Sequence, residues 1–279
     1  MRGYAKKLVA SHGDTVEYSL PLDDDALPLN PLIGSRVRLE HHGSILCQHC
    51  GRASRKSYSQ GYCYPCFKKL PQCDLCMVSP ERCHFEAGTC RDESFAESFC
   101  MQPHVVYLAN SSGLKVGITK YANIPTRWID QGAVQAMPML ETQSRQIAGF
   151  AEVIFKAHVS DKTQWQRMLK AEPPRVDLIK ARADLLAKVG SELQSLTDKF
   201  GEFAFSFVTD PSVTTIRYPV DHYPTKVTSL NFEKTPVIEG TLVGIKGQYL
   251  IFDIGVLNVR RFTSYDVELT EVSAGLFSG

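Results

Sequence analysis

His104-Val-Val-Tyr-Leu-Ala109, Asn110-Ser-Ser-Gly113 and Leu114-Lys-Val-Gly-Ile-Thr119 follow one another without interruption. The first and last are short, β-branched and apolar, as strands are. The middle four are Asn, Ser and Gly, the residues that bend a chain through side-chain bonding to its own backbone or through positive φ. The stretch therefore reads as a β-hairpin. After it, Pro125 suits a first helical turn, Thr126-Arg-Trp-Ile-Asp-Gln131 continues as a helix, and Gly132 ends it. Gln143 to His158 carries a helical stripe of Ile147, Phe150, Ile154 and Phe155. Asp161 is placed to cap a short helix through Leu169. Strands and helices thus alternate from 104 to about 172.

Working outward, Pro173 and Pro174 interrupt the chain. A long helix is expected from about Val176 to Phe200, with Leu178, Leu185, Leu186, Val189, Leu193 and Leu196 on its apolar face and Gly201 at its end. The C-terminal part reads as strands: Phe203 to Val208, Thr214 to Tyr218, Lys226 to Leu230, Val237 to Ile245, Gln248 to Ile254 and Val256 to Arg260. Strands of this number and size suggest a small barrel. Thr15 to Leu20 and Ser35 to Leu39 alternate in the same way around an Asp23-Asp-Asp25 turn, and these N-terminal strands are expected to complete it. The expected class is α+β, in five segments: 1–46 and 202–279 as β structure, 47–103 as a cysteine-rich module, 104–172 as the α/β part, and 173–201 as a connecting helix.

All nine cysteines fall between Cys47 and Cys100. An odd number, clustered, in a chain without an export signal points to metal rather than to disulfides or redox thiols. Cys47-Gln-His-Cys50-Gly is followed after twelve residues by Cys63-Tyr-Pro-Cys66. Two such pairs supply the four soft ligands of tetrahedral zinc. A knuckle followed by a helix start at Phe67-Lys-Lys-Leu70 suggests a treble-clef site, with a zinc ribbon as alternative. For a second structural zinc, Cys73 and Cys76 are expected with Cys83 and Cys90; His84, Cys100 and His104 compete for the last two places.

The chain has 279 residues, 43% apolar and 22% charged, which excludes a disordered or fibrous protein. No apolar run approaches the ~20 residues of a membrane helix, so the expectation is a soluble, cytoplasmic protein without a membrane partner. Lys and Arg number 31 against 30 Asp and Glu, and this total does not by itself indicate a polyanionic partner. The distribution does. Residues 36–70 carry seven bases and one acid, and no acid interrupts residues 41–73. Arg52, Arg55, Lys56, Lys68 and Lys69, interleaved with Tyr58, Tyr62 and Tyr64, are suited to contact phosphates and stack on bases.

Residues 104–158 resemble the GIY-YIG endonuclease domain. Val105-Val-Tyr107 stands at its first signature, and Lys115-Val-Gly117, followed by Ile118-Thr119, at its second. Arg127 follows Gly117 by ten residues on the next helix, and Glu152 lies on the one after. Lys115 replaces the tyrosine of the second signature, Val105-Val replaces Gly-Ile, and Trp128 follows Arg127 where a histidine is usual. The whole chain also resembles a bacterial family known as domain of unknown function 2797, through its cysteine run, its LANSSGLKVGIT (108–119) and its PTRWIDQGA (125–133).

The nuclease resemblance implies a phosphodiester-cleaving site. Tyr107 would orient or deprotonate water and Arg127 would hold transition-state charge. Glu152 would bind Mg²⁺ or Mn²⁺, and Lys115 would add a second cation. Arg145, two helical turns before Glu152, shares its face and reads either as a further phosphate contact or as surface charge. Three functions follow: a metal-dependent endonuclease, most simply of DNA; a nucleic-acid-binding protein that has lost cleavage; or a scaffold whose zinc module docks another protein.

Overall fold

The computed structural model describes residues 1–159 and 164–272. The N-terminal strands are β1 (Arg2–Tyr4), β2 (Val9–Ser11), β3 (Glu17–Leu22), β4 (Asp25–Pro28) and β5 (Arg36–Ile45). Short helices α1 (Tyr64–Lys69) and α2 (Glu93–Phe95) mark the cysteine region, and a π-helical turn over Ala96–Cys100 continues α2. Then come β6 (His104–Asn110), β7 (Leu114–Thr119), α3 (Thr126–Asp130), β8 (Gln135–Thr142), α4 (Arg145–Lys156), α5 (Trp165–Met168) and α6 (Leu178–Phe200). The chain finishes with β9 (Phe205–Phe207), β10 (Thr214–Thr215), β11 (Val237–Lys246), β12 (Tyr249–Phe252), β13 (Gly255–Asn258) and β14 (Tyr265–Glu271). The short helix expected before Leu169 is α5; its expected cap, Asp161, lies outside the described residues. The chain divides into two compact units. Unit 1 is Met1–Phe67, Leu169–Ala171 and the chain from Arg217 onward; unit 2 is Lys68–Met168 with Glu172–Ile216.

Unit 1 is built on an antiparallel sheet in the order β1-β14-β5-β11-β12-β13, with a three-stranded sheet β2-β3-β4 beside it. The N-terminal β5 is therefore a central strand between two C-terminal ones, Leu39 pairing with both Leu269 and Ile238. Val37 and Leu39 alternate with exposed or half-buried Arg36, Arg38 and Glu40, the pattern of a strand with one face on the core. A tight turn from Lys246 to Tyr249 joins β11 to β12.

The expected barrel does not form: among the described residues the path from β1 to β13 does not close. Two segments assigned to it are used elsewhere, since β9 and β10 both pair with β8 in unit 2. A third, Lys226 to Leu230, makes no strand and contributes a bridge from Ser229 to Val256. Without those strands the sheet does not close on itself; at the β13 edge Val256 N–H donates to Thr228 O, and at the β1 edge Asp23 N–H donates to Tyr4 O.

Unit 2 is an antiparallel sheet ordered β10-β8-β6-β7, with β9 also on β8 and β7 at the edge. The β6–β7 hairpin pairs Tyr107 with Gly117 and Ala109 with Lys115. Side chains alternate across a strand, so Tyr107, Lys115 and Gly117 share one face. The opposite face carries Val106, Leu108 and Val116. They join Ala148 and Phe155 of α4 and Leu185, Val189 and Leu193 of α6 in one buried core. The helix α6 is capped by the Asp177 carboxylate, which accepts from the Lys180 N–H, and its apolar residues recur every three, four or seven positions. Burying each large aliphatic side chain stabilises the unit by ~1.5–3 kcal/mol.

Strand β8 carries no local signal in the sequence. Gln135-Ala-Met-Pro-Met-Leu140 lies between neighbours on both edges and is almost wholly buried, so it shows no alternation, and it is poor in β-branched residues. Pro138 is tolerated because it sits opposite Tyr107, where the β6–β8 register shifts and a ladder donor is dispensable.

Candidate metal centre and polar cleft

In unit 1 the chain leaves β5 into a pair of tight loops. Cys47 N–H donates to Arg52 O and Gly51 N–H to Cys47 O, which folds Cys47 to Gly51 into a knuckle. Tyr58 and Tyr62 then pair across a small turn and deliver Cys63 to the start of α1, where Phe67 N–H donates to Cys63 O. Cys66 lies in the first turn. The four thiol sulfurs of Cys47, Cys50, Cys63 and Cys66 all lie within 4.8 Å of one another, and Cys50 Sγ is 3.8 Å from Cys63 Sγ. A tetrahedron of ~2.3 Å zinc–sulfur bonds has edges of about 3.8 Å. The set can hold one zinc ion.

The electrostatics suit a cation. Burial acts to raise the Cys47 thiol, but the N–H groups of Cys63, Cys50 and His49 point at it and bring it down to about 6. Burial and the crowding of Cys50, Cys63 and Cys47 push Cys66 up to about 12. Four sulfurs this close cannot all be thiolates without a positive ion among them.

Arg52, Arg55, Lys56, Lys68 and Lys69 are all exposed. Between them in the sequence, Tyr58 stacks on Phe67 at 5.9 Å and meets Tyr64 edge-on at 5.4 Å; Tyr64 is 53% exposed.

In unit 2 an open cleft of about 260 Å³ runs along the edge strand β7. Lys115, Arg127, Arg145 and Lys156 line it around one carboxylate, Glu152. The residues come from β7, from α3 and from one face of α4. Lys115 is 5% exposed, and Glu152 lies 3.2 Å from Lys156. Arg145 is not surface charge. Its guanidinium donates to Cys76 O at 3.0 Å and Met77 O at 2.8 Å, fixing it at the cleft wall. Sequence spacing showed that Arg145 and Glu152 share a face; the carbonyls that hold Arg145 belong to a segment about seventy residues earlier and left no local signal.

Tyr107 does not reach the cleft. It is fully buried, its ring meets Trp128 edge-on at 5.9 Å, and its hydroxyl donates to Gln131 Oε1 at 2.9 Å while accepting from Arg127. Burial pushes this phenol up to about 12, against the opposing pull of Arg127. Its partner Gly117 is required by close approach: a Cβ there would stand 2.5 Å from the Tyr107 hydroxyl oxygen and 2.6 Å from Cζ. Tyr107 thus holds Arg127 and Gln131 from below.

Of the residues expected at a second metal, Cys76, Cys83 and Cys90 line one cavity with Cys100, while Cys73 is buried and does not line it. His104 is also buried; its Nδ1 is 2.8 Å from Gln102 O, and desolvation lowers it to about 4. No helix of the described residues is long and apolar enough to cross a membrane.

No curated protein and no solved structure matches the chain. The hairpin, the cleft and both cysteine sets nonetheless fall inside a single match, to a family model described as "Protein of unknown function (DUF2797)", over residues 34–267. That match takes in nearly the whole chain, and the protein belongs to this family.

Proposed function

We propose that the protein binds nucleic acid, DNA in the simplest case, and cleaves a phosphodiester bond in the unit 2 cleft with a GIY-YIG-like site, on a scaffold stapled by a treble-clef or ribbon-like zinc module. One observation carries the reading: Lys115, Arg127, Arg145 and Lys156 surround Glu152 in one open cleft. Four cations about one carboxylate attract a polyanion. Arg127 and Arg145 offer planar donor forks that match phosphate oxygens, and Lys115 adds a point charge. Arg127 faces the position where phosphorane charge develops, and Tyr107, itself anchored on Gln131, fixes its orientation from below. Tyr107 is therefore a positioning residue rather than a base. Glu152 supplies one hard oxygen ligand for Mg²⁺ or Mn²⁺, with phosphate and water oxygens left to complete the shell. When bound, such an ion supplies Lewis acidity at the phosphate and an acidified water. The exposed bases of the zinc module, Arg52, Arg55, Lys56, Lys68 and Lys69, add affinity through phosphate contacts.

A second reading, binding without cleavage, draws on the absence of any His, Tyr or second carboxylate from the cleft lining among the described residues. One experiment separates the two: incubation of the zinc-loaded protein with linear, branched and single-stranded DNA and RNA, with Mg²⁺ or Mn²⁺. Cleavage that disappears in Glu152→Gln supports the nuclease; salt-sensitive binding without products supports the binding module; neither binding nor products refutes both.

A further inference from the structure

The segment from Pro71 to Cys100 in unit 2 has no strand, and apart from the run of α2 and its π-helical turn (Glu93 to Cys100) its helical pieces are single turns. Across these thirty residues only Cys73, Pro80, Ala96 and Cys100 are buried. Apolar burial on that scale does not order a chain of this length. All nine cysteines are free, so no disulfide supplies the staple. Yet the segment presents four thiols to one small, largely apolar cavity: Cys76 from the turn Leu75–Met77, Cys83 just after the turn Pro80–Arg82, Cys90 from the following loop, and Cys100 from the π-helical turn. A π-turn is rare and often re-aims a side chain at a functional site.

We propose that Cys76, Cys83, Cys90 and Cys100 bind a second zinc ion, and that this ion fixes the wall of the cleft. Cys100 takes the place expected for Cys73. Asp74, Cys76 and His84 lie within 4.8 Å of one another, closer together than the four thiols stand as a set, and are the competing arrangement. The Asp74 carboxylate is already engaged by Arg91 Nε at 2.6 Å and by His84 Nε2 at 3.5 Å. The other His84 nitrogen is 2.8 Å from Thr89 Oγ1. These groups satisfy one another beside the thiols and act as an outer shell.

The charge balance agrees. Zinc with four thiolates carries a net charge of about −2. Arg145 lies against the site through the Cys76 and Met77 carbonyls, and Lys120 sits 4.4 Å above the Phe99 ring and donates to Ser98 O.

The connection to the cleft runs through the first turns of α4. Arg145 and Gln146 together hold the carbonyls of Cys76, Met77 and Cys83. A Cβ at Gly149 would stand 2.6 Å from Pro80 Cβ and 2.7 Å from Glu81 N, so the helix rests directly on the segment. Met77, Val78 and Pro80 in turn line the cleft. An ion that orders the segment therefore sets where Arg145 stands. This holds whether or not the cleft cleaves anything.

The test is zinc content of the full-length chain purified without chelator, with hydrogen exchange read on the same samples. The wild type is expected to carry about two zinc ions, each with about four sulfur ligands by X-ray absorption. Cys100→Ser and Cys83→Ser should each retain about one; Cys73→Ser and Asp74→Asn should retain about two. In Cys100→Ser, exchange should rise at the Arg145–Ala151 amides and stay unchanged in β5 and β11 of unit 1, which separates local loss from global unfolding. One zinc in the wild type would overturn the proposal. So would loss of an ion in Cys73→Ser or Asp74→Asn with retention in Cys100→Ser, or unchanged exchange along α4 after the ion is lost.

Discussion

Gly117→Ala tests the packing that supports the cleft. The added methyl would meet the Tyr107 hydroxyl oxygen at 2.5 Å and Cζ at 2.6 Å, closer than real carbon contacts allow. The ring has nowhere to retreat: it is fully buried against Trp128, in a strand paired on both edges. Overpacking of this kind costs ~1–3 kcal/mol. Displacing the hydroxyl from Gln131 and Arg127 leaves the buried phenol short of its partners, for a further ~1–3 kcal/mol. The expected loss is about 2–6 kcal/mol in unit 2. Trp128 and Trp165 are the only tryptophans and both belong to unit 2, so tryptophan fluorescence during urea unfolding reports on that unit alone. Tyr107→Leu removes the ring that clashes, so Gly117→Ala should cost at least ~1 kcal/mol less in that background. A change below ~0.5 kcal/mol, the level of an ordinary surface substitution, or strict additivity in the double variant, would refute the reasoning.

Cys63→Ser should release the ion of the first centre and unfold the knuckle, because structural zinc supplies ~10 kcal/mol or more of folding free energy; full zinc retention by elemental analysis would contradict the assignment. His104 is held neutral in the fold, down to about 4, by burial, whereas an unfolded chain protonates it near its ordinary value of ~6.5. The unfolded state therefore binds more protons between these values, and stability should fall as pH drops from about 6.5 to about 4. His104→Asn should flatten that slope in fluorescence-monitored unfolding, and an unchanged slope would assign it to other groups. Replacing Arg52, Arg55 and Lys56 by Ala should weaken duplex binding and reduce the salt slope by ~2–3 units, about 0.9 per lost phosphate contact; an unaltered slope would move the contact surface elsewhere.

The sequence made some of this structure plain and hid the rest for identifiable reasons. The β6–β7 hairpin, α4 and α6 were readable because local chemistry and periodicity agree there: Asn110-Ser-Ser-Gly113 turns the chain, and the leucines of α6 recur on one face. The Cys47/Cys50/Cys63/Cys66 set was readable because each pair is made by a local knuckle or helix start. Strand β8 was hidden because burial on both faces erases alternation. The barrel was expected because strand propensity does not say which sheet a strand joins, and β9 and β10 join the sheet of unit 2. Tyr107 was expected at the cleft and shares a sheet face with Lys115 and Gly117, but Trp128 packs on its ring and Gln131 takes its hydroxyl, contacts with residues some twenty positions later that strand alternation does not contain. Arg145 is held by carbonyls about seventy residues away, a contact that no spacing rule contains.

The central claim is a cleft that cleaves phosphodiesters with Arg127 at the reacting phosphate. Single-turnover cleavage of a nucleic acid by the zinc-loaded wild type and by Arg127→Ala, at saturating Mg²⁺ and matched protein occupancy, addresses it most directly. The account predicts metal-dependent products and a rate lower by ~10²–10³ in the variant, the usual loss for one preorganised transition-state donor. Bound nucleic acid that stays intact in the wild type, or equal rates for the two proteins, would contradict it.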